Sequence, residues 1–164
     1  MKKLLLLRHA KAEKLDSGMS DFDRPLNNRG KKAASLVGSL IAKKKIEPDL
    51  VISSPAERAR QTASLAIKAA GIKVELRFDE RIYEASSAQL LNVVKQIDES
   101  ANDAMLVGHN PGFEDLQSDL TGHVRHMPTA ALACLSLNVE KWSDAQERCA
   151  ELKWMITPKE IEQG

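Results

Sequence analysis

The chain of 164 residues is 43% hydrophobic and 29% charged, an ordinary composition for a soluble globular protein, and its length predicts one domain, residues 1–164. The formal net charge of +1 gives no reason to expect nucleic acid or a membrane surface as a partner. The apolar run from Leu4 to Leu7 is too short for a signal peptide, and no stretch approaches the length of a membrane span. Cys134 and Cys149 lack metal-ligand spacing, so we expect reduced, buried thiols in a cytoplasmic protein.

The first predicted strand is the same run, Leu4 to Leu7, and it ends in Arg8 and His9. Ligands of open α/β sheets bind at the carboxyl ends of the strands, so a fixed cation and an imidazole would lie at that edge. The stretch 11–24 has no apolar periodicity and is predicted to be a long loop that leaves the edge.

A helix and an interior strand are predicted next. Asn27 or Asn28 can cap the helix, whose apolar residues form one stripe (Ala33, Leu36, Val37, Leu40 and Ile41). The short apolar run 50–52 is typical of a strand in the interior of a sheet.

A second helix is predicted to begin directly after that strand. Ser54, Pro55 and Glu57 have the spacing of a capping box with proline at the first helical position, and Gly71 is the expected end of the helix. Arg58 would then lie in the first turn of a helix that follows a strand, which again places it at the carboxyl edge of the sheet.

The rest of the chain continues the alternation of strands and helices. Ser86 or Ser87 can cap a third helix, and Asn110 can cap a fourth that follows His109. Further strands are predicted at residues 73–76, 104–107, 130–139 and 150–156. This order predicts a three-layer α/β fold, with a mostly parallel central sheet and helices on both faces.

Four candidate site residues, Arg8, His9, Arg58 and His109, thus follow three strands that a parallel sheet would place side by side. Guanidinium groups suit the oxygens of a phosphoryl group, and a neutral imidazole is a competent nucleophile. Each motif alone also has a purely structural interpretation as a helix cap or a tight turn. Together they favour transfer of a phosphoryl group to His9 and then to water.

The chain resembles the histidine phosphatase superfamily, the phosphoglycerate mutase-like proteins. Four of its stretches are similar to successive motifs of that family: Leu-Arg-His-Ala, Arg-Pro-Leu-Asn, Ser-Ser-Pro-Ala-Glu-Arg-Ala-Arg-Gln-Thr-Ala and Val-Gly-His-Asn-Pro. More narrowly, residues 3 to about 139 resemble the compact SixA-type phosphohistidine phosphatases. Ala10 departs from the pattern, because many members have glycine there.

The resemblance implies roles for particular residues. His9 would accept the phosphoryl group, and the phosphate pocket would consist of Arg8, Arg58 and His109. Arg24, before the Pro-Leu motif, and Asn110 would be further phosphate or substrate contacts. No cofactor is implied.

The proton donor and the substrate are less sharply indicated. Relatives that act on phosphate esters use a glutamate after the third strand, and Glu80 is the better match, with Glu84 as the alternative. Residues 71–86 leave no room for the large insertion that covers the pocket in mutases, which favours a phosphohistidine protein as substrate and partner. A small phosphate ester and a non-catalytic phosphate-binding module remain the alternatives.

A metal site and a stable oligomer are not expected. His123 and His126 are spaced like a zinc pair but lack an evident third ligand, so we interpret them as loop residues near the rim of the pocket. We expect a monomer or a weak dimer.

Overall fold

Six strands form one sheet in the computed structural model, which describes residues 1–163. The strands are β1 (Lys2–Arg8), β2 (Leu50–Ser53), β3 (Glu75–Phe78), β4 (Asp103–Gly108), β5 (Leu132–Leu137) and β6 (Ala150–Ile156). Their order in the sheet is β3-β2-β4-β1-β5-β6, and β5 runs in the direction opposite to that of the other five strands. The prediction of a mostly parallel sheet is confirmed.

Helices cover both faces of this sheet. They are α1 (Asn28–Lys43), α2 (Glu57–Ala70), α3 (Ser87–Lys95), α4 (Gly112–Thr121) and α5 (Pro158–Gln163), with 3-10 helices at Asp21–Asp23, Glu80–Ile82 and Trp142–Asp144. Successive leucines of β1 point to opposite faces, so the first and third leucines pack with α3 and α4 while the second and fourth pack with α1 and α2. All four are fully buried, and their burial fixes the strand that carries Arg8 and His9.

The amino end of β1 is fixed by a buried lysine. The ammonium group of Lys2 donates to the carbonyl oxygens of Glu99 (2.9 Å) and Ala101 (3.0 Å). The indole of Trp142 donates to the same Ala101 carbonyl (2.7 Å). These bonds satisfy the buried polar groups at the end of the sheet opposite Arg8.

Two of the predicted helix caps are present. Asn27 accepts a hydrogen bond from the backbone of Gly30 (2.8 Å), and Ser86 forms a reciprocal capping box with Gln89. Gly71 ends α2 in the left-handed conformation, with φ of 66°, as expected for a glycine at this position.

The predicted cap at Ser54 is wrong, and α2 begins at Glu57 instead of Pro55. The backbone N–H of Ser54 still donates to Val107 of β4 (2.9 Å), so this residue extends the strand and the helix cannot start there. Asn110 does not cap α4 either, because its side-chain amide donates to Glu114 and to the Met127 carbonyl.

The bounds of two strands also differ from those predicted. β3 begins at Glu75, two residues later than expected, and β5 is shorter than the predicted stretch 130–139. In the described part of the chain, no helix is long and apolar enough to cross a membrane.

Candidate active site

The structure brings Arg8, His9, Arg58 and His109 together at the carboxyl edge of the sheet. β2, β4 and β1 are consecutive neighbours, and Arg8 is in register with Gly108, the residue before His109. The backbone of His9 continues this pairing by donating to the Gly108 carbonyl (2.9 Å). The two imidazole rings therefore lie close together, with their centroids 5.1 Å apart.

His9 is held as a neutral imidazole, and among residues 1–163 only one of its two ring nitrogens has a hydrogen-bond partner. Its Nδ1 lies 2.7 Å from the Ala10 carbonyl oxygen, which only accepts hydrogen bonds, so Nδ1 carries the proton. Burial lowers the pKa of His9 to about 4, and the charges of Arg58 and Arg8 act in the same direction. The lone pair on Nε2 is therefore available for nucleophilic attack.

His109 is also neutral and has the opposite arrangement of its ring nitrogens. Its Nε2 lies 2.8 Å from Ser54 Oγ, which already accepts a bond from the backbone of Ala56 (3.2 Å). The hydroxyl proton of Ser54 can then be donated to Nε2, which leaves the proton of His109 on Nδ1. Burial lowers the pKa of His109 to about 3, helped by the nearby His9 and Arg58.

Three arginines are anchored through their terminal nitrogens and leave Nε free. The anchoring acceptors are loop atoms: Arg8 donates to the Met127 carbonyl, Arg58 to the carbonyl and carboxylate of Asp21, and Arg24 to the Asp21 carboxylate and the Glu13 carbonyl. In each of the three guanidinium groups, Nε is buried and has no partner within residues 1–163. Because a buried donor without a partner is costly, these groups are suited to receiving the oxygens of a ligand.

Buried polar atoms without partners are concentrated at this site. Of the six such side-chain atoms in the described residues, one belongs to Gln117 of α4 and five belong to predicted site residues: Nε of Arg8, Arg24 and Arg58, Nδ1 of His109 and Oδ1 of Asn110. Four of the five are nitrogens, and the three arginine nitrogens are permanent donors. The site is therefore preorganised for an anion.

A cleft of about 460 Å³ opens beside His109 and contains Glu84 in its wall, together with Arg58, Tyr83 and Asn110. Glu84 has a positive φ of 52°, which is uncommon for a residue other than glycine. Glu80, the predicted proton donor, is exposed in its 3-10 helix and does not line this cleft.

Glu114 connects Asn110 with the segment that anchors Arg8. Its Oε2 accepts hydrogen bonds from Asn110 Nδ2 (2.6 Å), His126 Nδ1 (2.7 Å) and the Met127 backbone (2.8 Å). The Met127 carbonyl in turn accepts from Arg8 (3.0 Å). Asn110 thus lies in the wall of the cleft and also fixes the loop that orients Arg8.

Asp21, Tyr83 and Glu114 were not singled out by the sequence analysis. The spacing of Asp21 and Arg24 is compatible with a local ion pair, and this is the one feature of the sequence that could have indicated a role for Asp21. No local pattern indicates that Asp21 meets Arg58, because the two are far apart in the chain. His126 is bonded to Glu114, and within residues 1–163 no cluster of three or more histidine, cysteine or acidic side chains is arranged to hold a metal ion.

An α/β sheet that presents a free imidazole nitrogen and anchored guanidiniums at its strand ends defines a class of enzymes that act on phosphoryl groups. The family model of the histidine phosphatase superfamily, branch 1, matches residues 4–152. The chain belongs to this superfamily and is a phosphatase.

The chain is similar to a curated protein and to solved structures over nearly its whole length. An uncharacterised protein from Mycobacterium tuberculosis is 29% identical in an alignment that covers 93% of this chain and 100% of that one. The SixA protein of Agrobacterium tumefaciens has a similar structure, with a TM-score of 0.83 and 30% identity over 96% of this chain and 98% of that chain. The protein histidine phosphatase SixA complexed with tungstate has a TM-score of 0.84 over 97% and 99% of the two chains, and at 20% identity it shows the shared fold alone.

The fold is phosphoglycerate mutase-like and has no large insertion over the pocket. Between α2 and α3 the chain forms only β3, the 3-10 helix Glu80–Ile82 and short connections. The prediction that this segment contains no large insertion is confirmed.

Proposed function

We propose that the chain removes the phosphoryl group from a phosphohistidine of another protein, through a phosphorylated His9. The observation that carries the proposal is the neutral imidazole of His9, whose Nε2 is free and lies among anchored guanidinium groups. A neutral nucleophile surrounded by fixed positive charge is suited to attack an anionic phosphorus centre.

In the first step, Nε2 of His9 attacks phosphorus and the bond between phosphorus and the substrate nitrogen breaks. The Nε donors of Arg8 and Arg58 and the Nδ1–H of His109 would hold the phosphoryl oxygens. The other nitrogen of the substrate ring is already protonated, so the electron pair of the broken bond stays on the nitrogen that held phosphorus and the substrate histidine leaves as a neutral imidazole. His9 keeps its own proton on Nδ1, bonded to the Ala10 carbonyl.

In the second step, water attacks the phosphoryl group and the bond to His9 breaks. Because Nδ1 remains protonated, the phosphorylated ring carries a positive charge that makes it a good leaving group. The electron pair returns to Nε2, the phosphoryl group leaves as inorganic phosphate, and the neutral imidazole is restored. No cofactor takes part in this cycle.

A protein substrate is favoured by the open pocket and by the weak demand for acid catalysis. The segment between α2 and α3 leaves the cleft beside His109 uncovered, so a side chain on a folded protein can reach it. A protonated imidazole leaves without a strong general acid, whereas an alkoxide needs one. The SixA proteins that share the fold add support by analogy.

We place the protein in the cytoplasm, where its two free cysteines would stay reduced.

A small phosphate ester is the second candidate substrate, and Glu84 is the observation that favours it. Glu84 is exposed, lines the cleft and has an uncommon backbone conformation, as a residue that positions a proton donor could have.

Rapid quenching with a phosphohistidine-containing protein tests the proposal. The wild-type protein should form an acid-labile, base-stable phosphoenzyme, and His9→Ala should not. His123→Ala is the matched control, because this histidine is exposed on a loop. Full activity of His9→Ala would exclude the mechanism, and turnover of para-nitrophenyl phosphate without any phosphohistidine activity would favour the small ester.

A further inference from the structure

One carboxylate, that of Asp21, contacts both Arg58 and Arg24. Its Oδ2 lies 3.0 Å from Arg58 Nη2, and its Oδ1 lies 2.9 Å from Arg24 Nη2. The hydroxyl of Tyr83 donates to Oδ2 as well (2.8 Å). Although partial burial opposes ionisation, the hydrogen bonds from Tyr83 and Arg24 lower the pKa of Asp21 to about 2, so the group is a carboxylate at neutral pH.

Asp21 fixes the plane of the Arg58 guanidinium by two contacts. Nη1 of Arg58 donates to the Asp21 carbonyl (2.8 Å) and Nη2 donates to its carboxylate. Two parallel bonds to one residue remove the rotation that a single bond would allow. The Arg58 side chain is 7% exposed, and its Nε has no partner in the described part of the chain.

Asp21 could instead block the site by imitating a phosphate, and the hydrogen bonds argue against this. A blocking carboxylate would take the buried donors that a ligand needs. Asp21 binds only terminal nitrogens, and the buried Nε atoms of Arg58 and Arg24 stay free. Arg8, which Asp21 does not contact, shows the same pattern through the Met127 carbonyl.

We propose that Asp21, held by Tyr83, is a positioning residue that orients Arg58 and Arg24 so that their Nε donors face the phosphoryl group. The inference rests on the proposed phosphoryl site but not on the identity of the substrate. It makes the 3-10 helix Asp21–Asp23, which belongs to the loop between β1 and α1, a functional part of the pocket.

Asp21→Ala tests the proposal, with Asp23→Ala as the matched control. Asp23 lies in the same 3-10 helix and has the same side chain, but within residues 1–163 its carboxyl group bonds only to Ser20. We expect Asp21→Ala to weaken the binding of tungstate about tenfold, measured by calorimetry, and Asp23→Ala to change it less than twofold. Equal losses in the two variants, or tighter binding by Asp21→Ala, would overturn the proposal.

A double-mutant cycle with Arg58→Lys separates positioning from a general loss of structure. Lysine lacks the planar fork, so in that background Asp21→Ala should weaken tungstate binding much less than in the wild type. Additive losses of affinity would contradict the coupling between Asp21 and Arg58.

Tyr83→Phe keeps every charge and should weaken tungstate binding less than Asp21→Ala does. If Tyr83→Phe bound tungstate as tightly as the wild type, Tyr83 would have no part in the positioning.

Tungstate binding distinguishes this inference from the proposed function. If His9→Ala remained active, the covalent mechanism would fail, while a selective loss of tungstate binding in Asp21→Ala would still support positioning. If the phosphoenzyme formed in the wild type and Asp21→Ala bound tungstate normally, the positioning role of Asp21 would be rejected and the covalent mechanism would be kept. With the substrate that is turned over, the effect should lie mainly in KM, because the nucleophile is unchanged.

Discussion

Ser54 Oγ lies 2.8 Å from Nε2 of His109, and this contact joins the end of β2 to the residue that follows β4. The hydroxyl accepts from the Ala56 backbone and can donate to Nε2, which would leave the proton of His109 on Nδ1, where a ligand could accept it. Ser54 does not cap α2, and its hydroxyl bonds instead to the Ala56 backbone and to His109.

Ser54→Ala should lower kcat/KM about tenfold, because His109 then loses the hydrogen bond that orients its ring. Ser53→Ala is the control, since Ser53 is equally buried but donates to a backbone carbonyl. Steady-state kinetics on para-nitrophenyl phosphate and on a phosphohistidine protein would show the difference. Equal activity of the Ser54→Ala variant and the wild type would mean that the contact does not matter for catalysis.

Stability should fall as the pH is lowered from 6.5 towards 4. The folded protein lowers the pKa of His9 to about 4 and that of His109 to about 3, chiefly by burial, from the ordinary value of 6.5. In this range the unfolded chain binds more protons than the folded one, so protonation favours unfolding. The loss from His9 alone would be on the order of 3 kcal/mol by pH 4.

Urea unfolding at pH 7.5, 6.0 and 5.0 measures this slope. The ordinary pKa values of carboxyl groups are about 4, so above pH 5 the imidazoles dominate the change. His9→Gln should flatten the profile, and His123→Gln, at an exposed position, should leave it unchanged. A free energy of unfolding that does not vary between pH 7.5 and 5.0 would show that protonation of His9 and His109 does not destabilise the folded protein.

Glu84→Gln should slow hydrolysis of an alkyl phosphate by about 10²-fold or more and affect a phosphohistidine protein much less, if Glu84 protonates the leaving group. Glu80→Gln is the paired variant, because Glu80 was expected from the sequence while the cleft contains Glu84. Measured kcat/KM values for both substrates decide between the two residues. A larger effect of Glu80→Gln would show that Glu80, which the resemblance implied, is the proton donor.

Activity should survive exhaustive treatment with EDTA, and vanadate or tungstate should inhibit as phosphoryl mimics. We expect this because the positive charge of the pocket is supplied by Arg8, Arg24 and Arg58, which chelators do not remove. Phosphate release would be assayed before and after chelation. Activity that disappears with EDTA and returns with a divalent cation would direct attention to His123 and His126.

The sequence predicted that the four candidate site residues lie together because their placement depends on a simple topological rule. Arg8, His9, Arg58 and His109 each follow an apolar run, and parallel strands bring such ends together whatever their separation along the chain. The alternation of strands and helices predicted the layers for the same reason.

Details that depend on contacts between distant segments were not predictable. Ser54 has the sequence of a cap, but its pairing with Val107 extends the strand, and no local pattern contains that pairing. Asp21 meets Arg58 only in the folded chain. The choice between Glu80 and Glu84 depends on the geometry of one short turn, which spacing alone does not specify.

The antiparallel direction of β5 has a consequence for how relatives of this protein can diverge. The backbone of Ala130 donates to the His9 carbonyl (3.0 Å). The exposed connection 122–126 and the residues that follow it therefore lead the chain from α4 to His9. Surface loops tolerate changes of length, and a longer connection here would leave the register of β1 and β4 untouched. We expect substrate range to evolve through this loop while the phosphoryl chemistry is inherited unchanged.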